Sequence, residues 1–542
     1  MFHYSSQHVT VAEQHTLLSM GMGLFAGNSS LDVGRLKVRL TNSHGRTPTI
    51  LFTSPIQPIR GCSPNVYGWD KSPHRVRVAM SFLNHPGLSF LEANLPCTIL
   101  EYPDLEQYRA ALSTRPDIVG FSFYINETEL VLKMVDMARR AGVKEVWAGN
   151  YGGYSSLEGV FDRTVNGWGE AKVASLLDLP PITADNLIHP EMYGVIGTNL
   201  FPKMLFSGLL FTSRGCPWTC NFCQTPDFYG KAAKISLEAI EKAIWTYHRR
   251  GVTGINILDE NFGTFASHSR EVVDLLHRYN MRWIALTRVD TLLKNFDYWQ
   301  ARGLFGAHLG IESLNQGSLS GATKKISQLD SSRLLERMKR QHMFVQAFYI
   351  LGFEQDTVQS IRDDIERLAA FDIDVVQVQV LTPFPNTEQR SLIEAKYGIS
   401  NTNLSKYNAR NLVWNHPHIS AEDMRELQHW ANKKLSSSRR ALRTLAKFAL
   451  FCGNQKPGLQ GANLVMRSWA GSAGLHKTYA RNVAAAREWT KTGWYPYEEV
   501  AHGESATRAL IQESAGPGLH AIRFASEPRN SKHIQAAPGH LI

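Results

Sequence analysis

From about Thr49 to Glu394 the chain alternates short runs of Val, Ile, Leu, Phe and Thr with amphipathic stretches of helical period. Such an alternation buries both element types only as a mostly parallel sheet with helices packed on it, so the fold class is α/β. A break stands in the middle. Pro180, Pro181, Pro190 and Pro202 mark 181–204 as a linker, because proline breaks both ladders and helix interiors. The alternation therefore belongs to two units, 46–180 and 205–394. At 542 residues the chain is too long for one ordinary core, which agrees with more than one domain.

The first unit reads as a doubly wound, Rossmann-like sheet. Its strands are expected at Thr49–Thr53, Thr98–Tyr102, Asp117–Tyr124, Glu145–Gly149 and Arg163–Asn166, with helices at Pro86–Asn94 and about Glu127–Ala141. An insertion rich in Pro, Gly and Asn separates the first strand from the first helix. Two strands end in Ala-Gly-Asn-Tyr-Gly-Gly and Asn-Gly-Trp-Gly-Glu. Open α/β sheets bind ligands beyond the carboxyl ends of their strands, and glycine lets a ligand approach the backbone closely. Gly149, Gly152, Gly167, Gly169 and the adjoining Glu170 are therefore candidate cofactor contacts. The second unit carries six expected strands, at Leu205–Thr212, Gly254–Leu258, Trp283–Thr287, Gly306–Gly310, Val345–Tyr349 and Val375–Leu381. Around these units lie an irregular lead-in (1–45), a helical C-terminal region (395–502) and a disordered tail (503–542). Trp414, Trp430, Trp469, Trp489 and Trp494 of the helical region read as core.

Cys216, Cys220 and Cys223 stand in Gly-Cys-Pro-Trp-Thr-Cys-Asn-Phe-Cys, with no fourth cysteine or histidine nearby. Structural zinc and cubane clusters that only carry electrons normally take four protein ligands. A trio leaves one metal corner open; zinc closed by a distant ligand is the alternative. The preceding Phe-Ser-Gly-Leu-Leu-Phe-Thr-Ser-Arg reads as a strand ending in a loop, the address of βα-loop chemistry. Cys62, Cys97 and Cys452 are scattered, and six cysteines without framework spacing suit a reducing, cytoplasmic setting. No apolar run reaches the roughly 18 residues that span a bilayer. The net charge of +10 is modest for this length. Its densest patch, Lys433, Lys434, Arg439, Arg440, Arg443 and Lys447, reads as a solvated helix face. No nucleic-acid partner is expected, while peripheral contact with a membrane stays open.

The spacing C-x-x-x-C-x-x-C, with Phe222 before the last cysteine, resembles the signature of the radical S-adenosylmethionine (radical SAM) superfamily. The resemblance implies a partial TIM-type barrel, a [4Fe–4S] cluster on the three cysteines, and SAM on the fourth iron. It also points to polar groups after successive strands. Glu260 follows Asp259, Arg288 stands in Thr-Arg-Val-Asp, and Glu312 in Gly-Ile-Glu-Ser. Asp356 follows Gly-Phe-Glu-Gln, which is similar to the family's Gly-Leu-Pro-Gly-Glu-Thr except that Glu354 and Gln355 replace Pro and Gly. These four are implied SAM contacts. Residues 45–180, with Asp-Ile-Val-Gly and Gly-Trp-Gly-Glu, resemble the cobalamin-binding domain that precedes many radical SAM modules. No D-x-H-x-x-G is present, so cobalamin is expected base-off, without that histidine on cobalt. The implied activity is cobalamin-dependent C-methylation at an unactivated carbon of a small molecule or lipid, with an electron donor such as flavodoxin or ferredoxin. An oxidative cyclase or ring-rearranging enzyme with the same cofactors is one alternative; a non-catalytic cluster or cobalamin sensor is another.

Overall fold

The computed structural model describes residues 48–56, 78–82, 84–154, 159–198, 205–324 and 326–453. The expected lead-in and tail, the helical region beyond 453, and Cys62, Trp469, Trp489 and Trp494 lie outside the described residues.

Strands are numbered in chain order. β1 (Ile50–Thr53), β3 (Thr98–Leu100), β4 (Ile118–Ser122), β5 (Glu145–Gly149) and β6 (Arg163–Val165) form a five-stranded sheet in the order β3-β1-β4-β5-β6. All its pairings are parallel. Leu51, Val119, Phe121, Val146 and Ala148 pack on one face against the helices Leu105–Ser113 and Thr128–Arg140. Ile50, Phe52, Ile118, Trp147 and Val165 pack on the other, against Pro86–Asn94 and Gly169–Leu176. Both faces are covered, which is why these strands are runs of apolar residues instead of alternating ones. β3 and β4 flank β1 on opposite sides, so the chain crosses over β1 in passing from β3 to β4. In a sheet of this order a crevice opens at that switch, beyond the carboxyl ends.

β8 (Leu205–Leu210), β11 (Gly254–Ile257), β12 (Arg282–Thr287), β13 (Leu304–Glu312), β14 (Phe344–Leu351) and β15 (Val375–Val380) run parallel as a half-barrel. Two further strands, β7 (Tyr193–Thr198) and β2 (Val78–Phe82), extend its edge antiparallel to give eight strands. They stand where the sequence suggested a linker and a Pro/Gly-rich insertion. Pro190 and Pro202 bracket β7 and do not interrupt it, and a proline forbids only its own ladder position. A short antiparallel pair, β9 (Ser213–Arg214) and β10 (Ala233–Lys234), closes the base of the cysteine loop.

The bottom of the half-barrel is plugged. Leu205, Ile284, Phe344 and Val375 meet Phe448, Phe451 and Cys452 of the helix Ser438–Cys452. Of the basic patch, Lys433, Lys434 and Arg439 are exposed, while Arg440, Arg443 and Lys447 are tied down. Arg440 Nε donates to Asp372 (3.0 Å), Arg443 Nε to Asp374 (3.0 Å) and Lys447 Nζ to Asp374 (2.8 Å). Trp414 is buried as expected, and Trp430 packs on the core at its edge.

Candidate functional site

The carboxyl ends of the two sheets share one cavity of about 740 Å³. The N-terminal sheet contributes Ser54, Ser122, Gly149, Asn150, Gly167 and Gly169 to its wall, and the half-barrel contributes Cys216, Cys220, Cys223, Glu260, Arg288 and Glu312. Ten of the residues expected from the sequence are thus brought together, Glu170 among them. Gly152 and Asp356 are not on the wall.

The cysteine loop is held from several sides. Gly215, at φ +83°, turns the chain into Cys216, and its N–H donates to Glu260 at 2.9 Å. Cys223 N–H donates to the Cys220 carbonyl at 3.0 Å, which folds the second half of the motif into a turn. The Trp218 backbone beside Cys216, and the Thr225 backbone and hydroxyl beside Cys223, favour the thiolate form. Burial nevertheless pushes all three thiols up, Cys216 to about 11, so in the absence of a metal they are protonated at pH 7. Three thiols in one loop, each able to meet a different iron, suit a cluster with one open corner.

Around the loop, charges are paired. Glu312 sits at the end of β13 with φ +62°, beside a register shift against β14. Left-handed backbone in a non-glycine residue persists only where surroundings impose it. Here Lys324 does so: its Nζ donates to Glu312 Oε1 (2.6 Å) and to the Gly310 carbonyl (2.8 Å). Sequence reasoning missed Lys324, because one lysine of a Thr-Lys-Lys loop looks like any solvated charge. Arg288 lies over the Trp218 ring, 3.9 Å from its centroid, and donates to Asp290 at 3.0 Å. Burial pushes the Glu260 carboxyl up, and the neighbouring Asp259 adds to that shift. Asp259 itself ties β8 to β11, accepting from Thr212 N, Thr212 Oγ1 and Ser213 Oγ.

Three expected ligand positions have structural work. Asp356 staples its own loop, accepting from Ser318 Oγ (2.6 Å), Gly352 N (3.1 Å) and Phe353 N (2.9 Å). A Cβ on Gly152 would stand 2.3 Å from the Phe123 ring, so that glycine is set by packing. Glu170 reaches the cavity but spends both oxygens on Arg214, at 2.8 and 2.9 Å. Arg214 is held between Phe90 and Trp168, 4.1 and 4.9 Å from their ring centroids, and the buried pair joins the two sheets' domains. By contrast, a Cβ on Gly149 would meet nothing of the protein closer than 3.7 Å, and on Gly169 nothing closer than 3.6 Å. Packing inside the protein does not demand glycine at either place; their open side is the cavity.

Residues 210–389 match the family model described as the radical SAM superfamily. A hopanoid C-3 methylase of Methylococcus capsulatus is 27% identical over 51% of this chain and 60% of its own length. The chain thus spans less than two-thirds of that relative. Other curated matches include anaerobic magnesium-protoporphyrin IX monomethyl ester cyclases. Among solved structures, the radical SAM methyltransferase TsrM from Kitasatospora setae aligns with a TM-score of 0.51 and 14% identity, covering 71% of this chain and 89% of that one. OxsB, a cobalamin-dependent SAM radical enzyme, aligns with a TM-score of 0.51 and 12% identity, covering 86% and 84%. At these identities the structures speak for the fold. No helix among the described residues is long and apolar enough to cross a membrane. With its three-cysteine loop at the mouth of a parallel half-barrel, the segment 210–389 is a radical SAM domain.

Proposed function

We propose that this protein is a cobalamin-dependent radical SAM enzyme that transfers a methyl group to an unactivated carbon of a small molecule. The observation that carries the reading is the shared cavity: glycines at the ends of one parallel sheet face three thiols at the mouth of another. Gly149 and Gly169, which packing leaves free, and Gly167, at φ +76°, would cradle cobalamin. Cys216, Cys220 and Cys223 would hold the cluster. When bound, cluster and SAM supply one-electron cleavage of the sulfonium and hydrogen abstraction from carbon, and cobalamin supplies the methyl-transfer chemistry.

The chain's own residues place and shield. Glu260 fixes the start of the cysteine loop through Gly215. Arg288, stacked on Trp218, and Lys324, paired with Glu312, put two cations beside the loop, where they would favour the carboxylate of SAM. The Glu170–Arg214 pair keeps the sheets at one separation, which sets the distance between the two cofactors. The Phe448 and Phe451 plug closes the barrel to water from below.

The test is anaerobic incubation of the reconstituted protein with methyl-deuterated SAM and an extract of its source cells. The reading expects label in a carbon-bound methyl of a product, together with 5′-deoxyadenosine. An unlabelled product that has lost hydrogen would assign the cyclase chemistry instead. A cluster-loaded protein that cleaves no SAM would favour a sensor.

A further inference from the structure

Below the thiols, the floor of the half-barrel holds polar side chains that the reading above does not use. Inward-facing residues of adjacent strands align in layers. The lowest layer is the apolar plug around Ile284 and Phe344. Directly above it come Asn256 of β11, His308 of β13, Gln346 of β14 and Gln377 of β15, all on the cavity wall. Each bonds the next: Asn256 Oδ1 with His308 Nε2 at 3.1 Å, His308 Nδ1 with Gln346 Oε1 at 2.8 Å, and Gln346 Nε2 with Gln377 Oε1 at 3.3 Å.

The row has a direction. Burial pushes the His308 imidazole down to about 4, so at pH 7 it is neutral and carries one N–H. A neutral ring cannot donate to carboxamide oxygens on both sides. Carboxamide nitrogen and oxygen have the same shape, so one flanking amide turns. Turning Asn256 alone makes each of the three contacts a donor–acceptor pair, whereas the reverse direction needs both glutamines turned. The row then donates from Asn256 to His308, to Gln346, to Gln377, and ends in the Gln377 NH₂. Gln377 and Gln379, two residues apart on one face of β15, are both half-buried on the cavity wall. Among the described residues, neither of their amide nitrogens has a hydrogen-bond partner. Above them Leu258, Leu286 and Phe348 form an apolar belt beneath the cysteine loop.

We propose that Gln377 and Gln379 seat the substrate, and that the substrate is a small molecule whose carbonyl or carboxylate oxygen accepts from their amides. Its carbon skeleton then lies in the apolar belt with the reacting C–H toward the cysteines. A hydrocarbon face laid on this floor would leave both amides buried and unmet. The proposal rests on the reading that chemistry occurs in this cavity, and it names the substrate class for it.

Equilibrium dialysis of the cluster-reconstituted protein, with three probes of similar size, tests it: phenylacetamide, phenylacetate and propylbenzene. The carbonyl-bearing probes are expected to bind at least tenfold tighter than propylbenzene, and Q377L/Q379L to erase that preference with iron content unchanged. The single variant Gln377→Glu keeps the acceptor that Gln346 uses and replaces the terminal donor by a carboxylate. It is expected to weaken phenylacetate more than phenylacetamide. Equal or tighter binding of propylbenzene, no preference among the probes, or a preference that survives in Q377L/Q379L would overturn the proposal. The ratio is read without cobalamin, so protein that fails to take up cobalt would defeat the cofactor reading and leave this measurement standing.

Discussion

At their carboxyl ends the two sheets offer opposite chemistry: the N-terminal sheet presents Gly149, Gly167 and Gly169, and the half-barrel presents Cys216, Cys220, Cys223, Glu260 and Arg288. One side offers bare backbone and shape, the other directed donors and charge. A large ligand can be held by a surface that merely stays out of its way. A small cluster and a zwitterionic cosubstrate need ligands at set points. Substitutions on the two sides should therefore fail differently, one by losing affinity through bulk, the other by losing a bond.

The strongest break is Cys220→Ala, which should abolish cluster assembly and SAM cleavage while leaving cobalamin uptake intact; iron analysis and 5′-deoxyadenosine by chromatography check it. Next comes the joint between the two regions. Glu170 and Arg214 are only 2% and 8% exposed on their side chains, so removing one partner strands a buried charge. Glu170→Ala should cost about 3–5 kcal/mol, read as a lowered unfolding midpoint.

A pH effect separates the regions further. Burial raises the Glu127 carboxyl, on the N-terminal side of the cavity, from 4.5 to about 7. A group raised on folding contributes stability below its unfolded value and loses it as pH rises through the folded value. Stability of the native protein should therefore fall between about pH 4.5 and 7. Glu127→Gln keeps the acceptor for the Tyr124 N–H, and should flatten that slope and stabilise the protein at pH 8 by up to about 3 kcal/mol. An unchanged slope would mean that Glu127 is solvated. The mildest change is Gly149→Leu. It should leave the fold and iron content intact and weaken cobalamin binding by roughly tenfold to a hundredfold, the effect of about 1–3 kcal/mol of overpacking.

The sheets were legible because strands buried on both faces are runs such as Ile-Leu-Phe-Thr and Ile-Val-Gly-Phe, which few other structures accommodate. The cysteine loop was legible because its ligands are local. What the sequence hid depends on partners far along the chain. Glu170 reads as a strand-end ligand until Arg214 is seen beside it, 44 residues on. Arg440 and Arg443 read as solvated until Asp372 and Asp374 are found about 70 residues before them. β2 and β7 were hidden because short strands at a sheet edge carry little pattern of their own, and the prolines around β7 looked like a linker. The polar barrel floor combines one residue from each of four strands, and no linear motif records it.

If one cavity holds two metal cofactors, full-length protein reconstituted anaerobically with iron, sulfide and cobalamin will carry about four irons and one cobalt per chain, measured as metal content. In Cys220→Ala cobalt will be retained and iron lost. Iron without cobalt in the native protein, or cobalt that departs together with iron in the variant, would contradict that arrangement.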